Sequence, residues 1–375
     1  MFIAGEASGD QLAAELVQEL RSRIPGAVFF GAGAAKMAGA GVELVFDMTQ
    51  LAVVGFTDVF RNVFKLSKAK NQLVAEAARR KPDVIIGVDY GEFNSRFARA
   101  IRQELTRHPG SWRPEIVKFI SPQVWASRPG RARALAEDFD LLLSIFPFEK
   151  DWFARRAPTL RVEFVGHPMI DRFGELPNPA GAKGRSSNEP GILLLPGSRR
   201  SEIKNHLPAM LGALKLIRSK IPGATARIIL PNQSLADLAR SLGADIDIQI
   251  GNLPGALAES DLAISKTGTV TMECAFFGLP AVTLYKGSWL NYQIARHFIT
   301  VKSFTMVNLL AGKMVYPEFL QNELTPENLA RAALDLLQNE SSRIEMKSEL
   351  DRIVASLGGP GATRRAADAV LSLFP

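Results

Sequence analysis

The chain is poor in the residues that build disulfides, metal centres and membrane spans. Its 375 residues include one cysteine, Cys274, and four histidines, at positions 108, 167, 206 and 297. One cysteine cannot form an internal disulfide, and these histidines lack the spacing of zinc ligands. Cys274 follows Glu273 in an apolar helical pattern, which predicts a buried structural thiol rather than a nucleophile. No apolar run approaches the roughly eighteen residues that span a bilayer, and Met1 leads into a strand instead of a signal peptide, so we expect a cytoplasmic protein.

Composition describes a soluble chain that is large enough for two domains. Apolar residues make up 47%, aromatic residues 8%, and the mean hydropathy is +0.05. A single core stops growing well below this length, which predicts two domains of about 150 to 200 residues each. The net charge of +7 and pI near 9.5 indicate an anionic partner: nucleic acid, anionic lipid or a phosphorylated substrate.

Strand-like runs alternate with amphipathic helical patterns, which is typical of parallel doubly wound sheets. In the first half the predicted strands are 1–4, 27–31, 83–88, 115–121, 141–146 and 162–165; in the second they are 191–195, 225–230, 246–250, 262–265 and 281–284. Residues 174–191 are rich in Pro, Gly, Ser and Asn, as in a linker. The pattern from Pro326 to Phe374 is helical, with Thr325 as N-cap and Pro326 in the first turn.

Two motifs end apolar runs with polar residues that open a helix. Residues 87–94 read Gly-Val-Asp-Tyr-Gly-Glu-Phe-Asn and carry the carboxylate of Asp89, and residues 194–199 read Leu-Leu-Pro-Gly-Ser-Arg and carry Arg199 at a helix start. Open α/β sheets bind ligands at such strand ends, and backbone amides at a helix start bind phosphate oxygens. The two motifs predict an enzyme with a base in one half and a phosphate site in the other.

Over almost its whole length the chain resembles the lipid-A-disaccharide synthase family. The residues that carry the likeness are 4–10 (Ala-Gly-Glu-Ala-Ser-Gly-Asp), 87–89 with 93–94, 121–126 (Ser-Pro-Gln-Val-Trp-Ala), 146–149 (Phe-Pro-Phe-Glu), 164–168 (Phe-Val-Gly-His-Pro), 194–199 with Glu202, 267–269 with Glu273, and 308–312 (Asn-Leu-Leu-Ala-Gly). Each motif is weak evidence alone, but their common order is strong evidence.

The resemblance implies a GT-B fold, with two Rossmann-like doubly wound domains facing a cleft and a helical C-terminal segment. The expected domains are an acceptor-side domain at 1–173, a UDP-sugar-binding domain at 174–340, and helices at 341–375 that return to the N-terminal domain of the same chain or of a partner in a swapped homodimer. It implies an inverting, metal-independent transfer of 2,3-diacylglucosamine from UDP-2,3-diacylglucosamine to C6 of 2,3-diacylglucosamine 1-phosphate (lipid X), releasing UDP. No cofactor is expected.

The same resemblance implies roles for individual positions. Asp89 is the candidate catalytic base. The candidate donor residues are Gly197, Ser198, Arg199, Glu202, Thr267, Gly268, Thr269, Glu273 and Asn308. The candidate acceptor or cleft residues are Glu6, Ser8, Asn94, Gln123, Trp125 and His167.

The chain departs from the family's pattern at three places. Ser127 stands where a Trp commonly follows Val-Trp-Ala, Lys266-Thr267-Gly268-Thr269 replaces the usual Ser-Gly-Thr turn, and the first strand is short at its N-terminus. None of these changes removes a charged group that the chemistry needs. The first removes an aromatic surface from the expected acceptor cleft.

Several candidates have a structural alternative. Asp89 could cap the following helix instead of acting as a base, and Glu92 is the rival base. In the turn at residues 5–10, Ser8 and Asp10 could simply cap the next helix. His167 is interpreted as a hinge or donor contact, although a strand-end histidine can also be satisfied by backbone.

Two further motif assignments are rejected. Gly31-Ala32-Gly33 lacks the third glycine of a dinucleotide fingerprint, because Lys36 occupies its place. The D-x-D sequences at 138–140 and 245–247 stand at the beginnings of apolar runs, whereas a metal-nucleotide site is expected at a strand end. In place of a metal ion, Arg199 can neutralise the charge that builds on the leaving UDP.

An amphipathic pattern from Phe56 to Leu73 predicts a surface for the lipid substrates. It places an apolar set beside a basic set at helical spacing, the membrane-facing candidates being Phe56, Val59, Phe60, Val63 and Phe64 with Arg61, Lys65 and Lys68. Such a helix can lie in an anionic interface, although a core helix with a solvated basic side shows the same pattern. With lipid substrates, we expect peripheral binding at the cytoplasmic face of the inner membrane.

Other functions remain open at this point. Another UDP-sugar GT-B enzyme, such as a polyprenyl-lipid glucosaminyltransferase or a UDP-sugar epimerase, would share the fold, and a lipid-transfer protein would bind lipid without nucleotide. Nucleic-acid binding is the weakest alternative, because the positive charge is scattered and no DNA- or RNA-binding module is present.

Overall fold

The chain forms two compact units that each contain a parallel sheet. The computed structural model describes residues 1–48, 59–110, 112–174, 189–287, 301 and 303–374, with the side chains of residues 7 and 59–64 excluded. The first unit comprises Met1–Arg172 together with Leu357–Pro375, and the second comprises Phe173–Ser356. The sequence-based boundary at residue 341 lies one helix earlier than this division.

In the described residues, the first unit has a seven-stranded sheet in the order β3-β2-β1-β4-β5-β6-β7, with all neighbours parallel. Its central strands are buried on both faces, as parallel sheets require. The strands are β1 Phe2–Ala4, β2 Phe30–Gly33, β3 Glu43–Asp47, β4 Val84–Val88, β5 Glu115–Phe119, β6 Leu141–Ser144 and β7 Arg161–Phe164.

The helices of this unit cover the sheet with apolar faces. Phe97 and Ile101 are buried one turn apart against Ile85 and Leu142 of the sheet core. The helices are α1 Ala7–Arg23, α2 Ala35–Gly39, α3 Val59–Arg80, α4 Gly91–Arg107, α5 Val124–Ser127, α6 Ala132–Asp138, α7 Pro147–Ala154 and α8 Met169–Phe173, the last of which crosses into the second unit.

The second unit repeats the arrangement. Its described strands form a six-stranded parallel sheet in the order β10-β9-β8-β11-β12-β13. They are β8 Gly191–Leu195, β9 Thr225–Leu230, β10 Asp247–Ile250, β11 Leu262–Lys266, β12 Ala281–Tyr285 and β13 Glu318–Leu320. The helices are α9 Arg200–Lys220, α10 Gln233–Ser241, α11 Leu253–Glu259, α12 Thr269–Phe276, α13 Met306–Ala311, α14 Pro326–Gln338 and α15 Glu340–Ser356.

The strand orders place the two sequence motifs at equivalent positions. In each sheet the order reverses at the first strand of the unit, next to β4 in one and next to β11 in the other. A crevice opens at such a switch point, beyond the carboxyl ends of the strands. The turns that begin at Gly5 and Asp89 meet at the first switch point, and those that begin at Pro196 and Thr267 meet at the second.

The C-terminal segment returns to the first unit after α15. The last helix, α16 Ala362–Leu371, packs against α1, where Arg23 pairs with Asp368. Arg365 secures the entry to this helix, because its guanidinium donates to the carbonyls of Val165, Gly359 and Pro360 at 2.7 Å each. The return begins at Leu357 rather than at residue 341, since α15 belongs to the second unit.

Most predicted elements are confirmed, with errors at sheet edges. The helices after Thr325 are present, and the Thr325 hydroxyl accepts from the Asn328 amide at 3.2 Å. Two edge strands, β3 and β13, were not predicted, because their side chains are at most partly buried and the apolar signal is weak. β2 begins at Phe30, later than the predicted start at residue 27. Within this strand a Cβ on Gly31 would stand 1.8 Å from the Phe2 carbonyl oxygen, so the close approach of β1 requires glycine.

Two sequence features have limited structural counterparts. Most of the predicted linker at 174–191, together with Phe56, lies outside the described residues. None of the described helices is both long enough and apolar enough to cross a bilayer.

Candidate functional site

Asp89 lies just beyond β4 in an uncommon backbone conformation. Asp89 and Tyr90 both have positive φ, 47° and 44°, which non-glycine residues rarely adopt. The Asp89 amide donates to the Phe119 carbonyl at 2.9 Å, which prolongs the β4–β5 pairing by one residue. The turn therefore ends the strand abruptly and leaves the Asp89 side chain partly exposed at the sheet edge.

Two buried side chains hold the carbonyl of Asp89. The amide nitrogen of Asn94 donates to it at 2.8 Å and to the Val88 carbonyl at 3.3 Å. The ammonium of Lys118, on β5, also donates to the Asp89 carbonyl. Asn94, predicted as an acceptor contact, therefore supports the backbone of the candidate base, and Lys118 is a site residue that sequence reasoning missed. A lone lysine in the apolar pattern of β5 was the signal that could have revealed it.

A pocket of about 410 Å³ opens in front of Asp89. Its walls come from the turn after β1, from the middle of α3 and from the start of α4; they include Glu6, Leu66, Lys70, Asp89, Glu92 and Arg96. The pocket lies wholly within the first unit and is large enough for part of a sugar ligand. Glu6, a candidate acceptor or cleft residue, thus shares a cavity with Asp89.

Glu92, the rival base, is engaged in ion pairs. Its carboxylate lies 3.1 Å from Arg96 and 2.8 Å from Arg131. The hydrogen bond from Arg131, with the further contribution of Arg96, lowers the pKa of Glu92. A carboxylate with a lowered pKa is a weaker proton acceptor, so this geometry favours Asp89 as the base.

The turn at residues 5–10 differs from the predicted capping arrangement. Asp10 does not cap its own helix; its buried carboxylate accepts from the backbone amides of Ala34, Lys36 and Met37 and so caps α2. Glu6 is the N-cap residue of α1 without a side-chain cap bond, and Ser8 is exposed. Glu6 and Ser8 therefore remain accessible at the switch point.

The Ser-Pro-Gln-Val-Trp-Ala segment contributes one accessible and one buried candidate. Gln123 is exposed, whereas Trp125 is buried and donates from Nε1 to Glu149 at 2.9 Å. Burial raises the pKa of Glu149 to about 7, against the hydrogen bonds from Trp125 and its neighbours. Trp125 is therefore packed in the core of the first unit. This placement differs from the acceptor or cleft contact that the resemblance implied.

His167 lies where the returning segment meets the first unit. Its backbone amide donates to the Leu357 carbonyl at 2.9 Å, and its Nδ1 accepts from the Met169 amide at 3.2 Å. Burial lowers the pKa of His167 to about 4, and the charge of Arg172 acts in the same direction, so the ring is neutral. His167 is therefore bonded to backbone groups of the first unit, and its hinge or donor-contact role stays a prediction.

In the second unit, the loop after β8 surrounds a carboxylate. Glu202, in the first turn of α9, accepts from the Ser198 amide at 2.9 Å and from the Arg199 amide at 3.2 Å. A Cβ on Gly197 would stand 2.4 Å from the same carboxylate, so glycine is required here. Of the Gly197 and Ser198 amides that were expected to bind a diphosphate, the Ser198 amide is therefore bonded to Glu202, as is the Arg199 amide, while the Arg199 side chain is 71% exposed.

The last residue of β11 adds a second cation. Lys266, which sequence reasoning treated only as a departure from the family's pattern, lies 3.3 Å from Glu202. Burial raises the pKa of Glu202, but the charge of Lys266 and the Ser198 amide outweigh it, so the pKa is lowered overall. Gly268 and Thr269 are exposed at the start of α12, Thr267 is buried, and Glu273 lies partly exposed one turn further.

A buried histidine joins the loop after β8 to the end of β12. His206 on α9 contacts the Pro196 carbonyl through Nδ1 at 2.7 Å and accepts from the Lys286 amide through Nε2 at 3.0 Å. Both bonds are satisfied by the neutral tautomer with the proton on Nδ1. Burial lowers the pKa of His206, which favours this form. His206 thereby ties the start of the loop to the end of β12.

The side-chain amide of Asn308 is bonded entirely within the second unit. Its Oδ1 accepts from the Val315 and Tyr316 amides at 2.8 Å, and its Nδ2 donates to the Tyr316 carbonyl and to Glu318 at 2.8 Å. This arrangement differs from the donor contact that the resemblance implied. Asn308 instead fixes the segment that leads into β13.

Three of the four carboxylates in the two D-x-D sequences have basic partners. Asp138 pairs with Arg99 at 3.0 Å and Asp140 with Arg102 at 2.7 Å, while Asp247 pairs with Arg227 at 2.7 Å. Each of these carboxylates therefore has a structural function in its own unit.

Helix α3 presents a basic side to solvent. Lys65 and Lys68 are exposed, whereas Ala69, Leu73 and Ala77 are buried at helical spacing against the sheet. The side chains of Val59, Phe60, Arg61, Val63 and Phe64 are outside the described part of the structure. The predicted amphipathic helix is present, but it runs later than predicted, to Arg80.

Comparison with known proteins relates the whole chain to one family. A model of the family described as Lipid-A-disaccharide synthetase matches residues 1–372. The lipid-A-disaccharide synthase of Myxococcus xanthus (strain DK1622) is 35% identical over 387 residues, covering 100% of this chain and 97% of that protein. That of Solibacter usitatus (strain Ellin6076) is 36% identical over 384 residues, covering 99% and 96%.

Solved structures share the fold at low sequence identity. A UDP-GlcNAc 2-epimerase from Neisseria meningitidis, bound to UDP-GlcNAc, has a TM-score of 0.65 and 13% identity, with 99% of each chain covered. The kitacinnamycin glycosyltransferase has a TM-score of 0.63 and 17% identity, covering 100% of this chain and 98% of that one. These likenesses, with the two parallel sheets, show the GT-B fold that the sequence predicted.

Proposed function

This chain belongs to the lipid-A-disaccharide synthase family, glycosyltransferases of lipid A biosynthesis, and we propose on that premise that it joins UDP-2,3-diacylglucosamine to 2,3-diacylglucosamine 1-phosphate. The C6 hydroxyl of the phosphorylated sugar attacks the anomeric carbon of the donor. The anomeric configuration inverts, the products are a β-1,6-linked disaccharide 1-phosphate and UDP, and no metal takes part.

The observation that carries the proposal is the Asp89 turn. A sugar hydroxyl needs a base to accept its proton as it attacks, and Asp89 offers a carboxylate at the wall of a pocket at the sheet's switch point. Glu92 shares the pocket but is paired with Arg96 and Arg131. Asp89 therefore takes the proton, and Glu6 and Lys70 are placed to contact the acceptor beside it.

The second unit supports donor binding through side-chain charge. The exposed guanidinium of Arg199 and the exposed start of α12 at Gly268 and Thr269 offer positive potential to a diphosphate. Because Glu202 already occupies the Ser198 and Arg199 amides, we assign the diphosphate to these groups and not to the amides. Their positive charge would stabilise the leaving UDP in place of a metal ion.

The lipid side of the reaction is assigned to α3. Its Leu66 and Lys70 line the Asp89 pocket, while Lys65 and Lys68 face solvent on the same helix. Acyl chains on both substrates require an apolar surface, and basic side chains attract anionic lipid. We therefore propose peripheral binding to the cytoplasmic face of the inner membrane.

The returning segment suggests how two copies could associate. α16 packs on the first unit of its own chain after a glycine-rich turn with positive φ at Gly358 and Gly361. The same docking surface on a second chain would accept it, which is the geometry of a domain-swapped homodimer. Light scattering of the purified protein tests this: a mass of one chain at all concentrations contradicts it.

The activity test is direct. Protein incubated with both substrates and EDTA should release UDP and form the β-1,6 disaccharide. UDP release without the acceptor, or epimerisation of the donor sugar, indicates another UDP-sugar enzyme. Strict dependence on a divalent cation overturns the metal-free mechanism.

A matched pair of variants tests the base. Asp89→Asn keeps the size of the side chain but cannot accept the proton, so turnover should fall about 10²- to 10⁴-fold. Glu92→Gln, in the same pocket, should retain most of the turnover. The reverse result assigns the base to Glu92, and an early melting transition of Asp89→Asn alone indicates a helix-capping role.

A further inference from the structure

A lysine occupies the core of the first sheet next to the Asp89 turn. Lys118 belongs to β5 and has 0% of its surface exposed. Its ammonium donates to the Asp89 carbonyl and lies 3.5 Å from the Gly87 carbonyl oxygen. A buried ammonium is costly, and an apolar side chain of similar volume would usually pack as well or better. Packing alone therefore gives no reason for a lysine here.

The turn that Lys118 contacts is strained. Asp89 and Tyr90 adopt the left-handed conformation in succession, although neither is glycine. Such conformations persist only where the surroundings determine them, and they cluster at functional sites. The Asp89 carbonyl connects the turn to both side chains, because Lys118 and Asn94 each donate a hydrogen bond to it.

Two glycines make room for this arrangement. Gly87 is the register partner of Lys118, and a Cβ there would stand 3.0 Å from the Asn94 side chain. A Cβ on Gly5 would stand 2.3 Å from the Tyr90 ring. Because Gly87 in β4 and Gly5 just after β1 have no side chain, Asn94 and Tyr90 have the space to pack at the turn.

We propose that Lys118 is a positioning residue for the glycosyl transfer: with Asn94 it holds the Asp89 carbonyl and so keeps the Asp89 carboxylate at the pocket in the orientation for accepting the hydroxyl proton. The inference rests on the proposed role of Asp89 as base. Burial lowers the pKa of Lys118 to about 7, and the charge of Asp89 acts in the opposite direction. Lys118 is therefore partly protonated at neutral pH and adds positive charge behind the base.

Substitution of Lys118 by Met and by Gln separates the contribution of its hydrogen bond from that of its charge. Met has neither charge nor donor, whereas Gln restores a donor without charge. We expect Lys118→Met to lower kcat at least tenfold while KM for both substrates and UDP affinity stay within twofold, and Lys118→Gln to recover part of the loss. Asn94→Leu, which removes the other donor at similar size, should lower kcat in the same way.

A matched control keeps the test specific. Ser144 is also fully buried, on the neighbouring strand β6, and donates to the Glu163 carbonyl at 3.4 Å. Ser144→Ala should leave kcat within twofold. Equal loss of kcat in Ser144→Ala and Lys118→Met shows a general effect of core polarity and overturns the proposal.

The remaining outcomes distinguish this inference from the proposed function. Wild-type kcat in Lys118→Met, alongside a collapsed Asp89→Asn, overturns the positioning role and leaves the base in place. Wild-type kcat in both variants overturns the base itself. If Lys118→Met does not fold, Asn94→Leu decides, because wild-type turnover in that variant contradicts control through the Asp89 carbonyl.

Discussion

The buried Lys118 makes the stability of the first unit depend on pH in a calculable way. The pKa of this lysine falls from 10.5 to about 7 because of burial. Between these values the unfolded chain binds one proton more than the folded chain, so the free energy of unfolding rises with pH. The full difference corresponds to about 5 kcal/mol. Below pH 7 Lys118 is protonated in both the folded and the unfolded chain, so the full free-energy cost of burying its ammonium lowers the stability of the folded state.

Lys118→Met removes this dependence. The free energy of unfolding of the variant minus that of the wild type should be largest below pH 7. It should decrease by about 3 kcal/mol between pH 7 and pH 9.5, because the wild-type lysine loses its charge over that range. Groups that titrate in both proteins cancel in the difference, so the decrease belongs to Lys118.

Urea unfolding at several pH values measures the difference. Trp112, Trp125 and Trp152 lie in the first unit, so tryptophan fluorescence reports mainly on its unfolding. Lys150→Met is the matched control, since it makes the same substitution at an exposed side chain that pairs with Glu163 at the surface, and its difference should vary much less over this range. A flat difference for Lys118→Met would falsify the buried, partly charged lysine on which the argument depends.

Three further predictions concern other parts of the chain. Arg199→Ala should raise KM for the UDP-sugar by about tenfold or more, because a charge-assisted contact is worth about 1.5 to 3 kcal/mol, while Arg200→Ala should change it little; steady-state kinetics of both variants compare them. Asn308→Leu should lower the free energy of unfolding by at least about 2 kcal/mol, measured in urea, since it leaves buried backbone groups unpaired. Phe60→Ser with Phe64→Ser should reduce sedimentation with anionic liposomes at unchanged UDP affinity, and a variant that only unfolds supports a core helix instead.

Local sequence patterns were sufficient for the fold class and for the placement of the two motifs. Strand runs that end in polar residues depend on backbone chemistry within a few residues of the chain. For this reason β4, β8 and β9 were predicted within a residue at either end. The edge strands β3 and β13 were missed, because their burial depends on neighbours that are distant in sequence.

The partners of individual site residues could not be predicted from the sequence. The sequence left open that Asp10 caps its own helix, but the fold brings the start of α2 to its carboxylate. Trp125 and Asn308 lie in family motifs, yet their polar atoms are bonded inside the protein. A family motif indicates which residue type stands at a position, but not whether that residue binds a ligand or stabilises the protein's own structure.

The sequence by itself determined the family, the two βα series and the candidate base, since these depend on residue order and local periodicity. Only the tertiary structure decided what surrounds that base. Lys118 lies 29 residues from Asp89 in sequence and reaches it because β4 and β5 are parallel neighbours in register. Glu92, three positions from Asp89, is instead held by Arg131 from a later segment. Proton affinity depends on burial and nearby charge, and these are set by contacts between distant segments rather than by the order of residues.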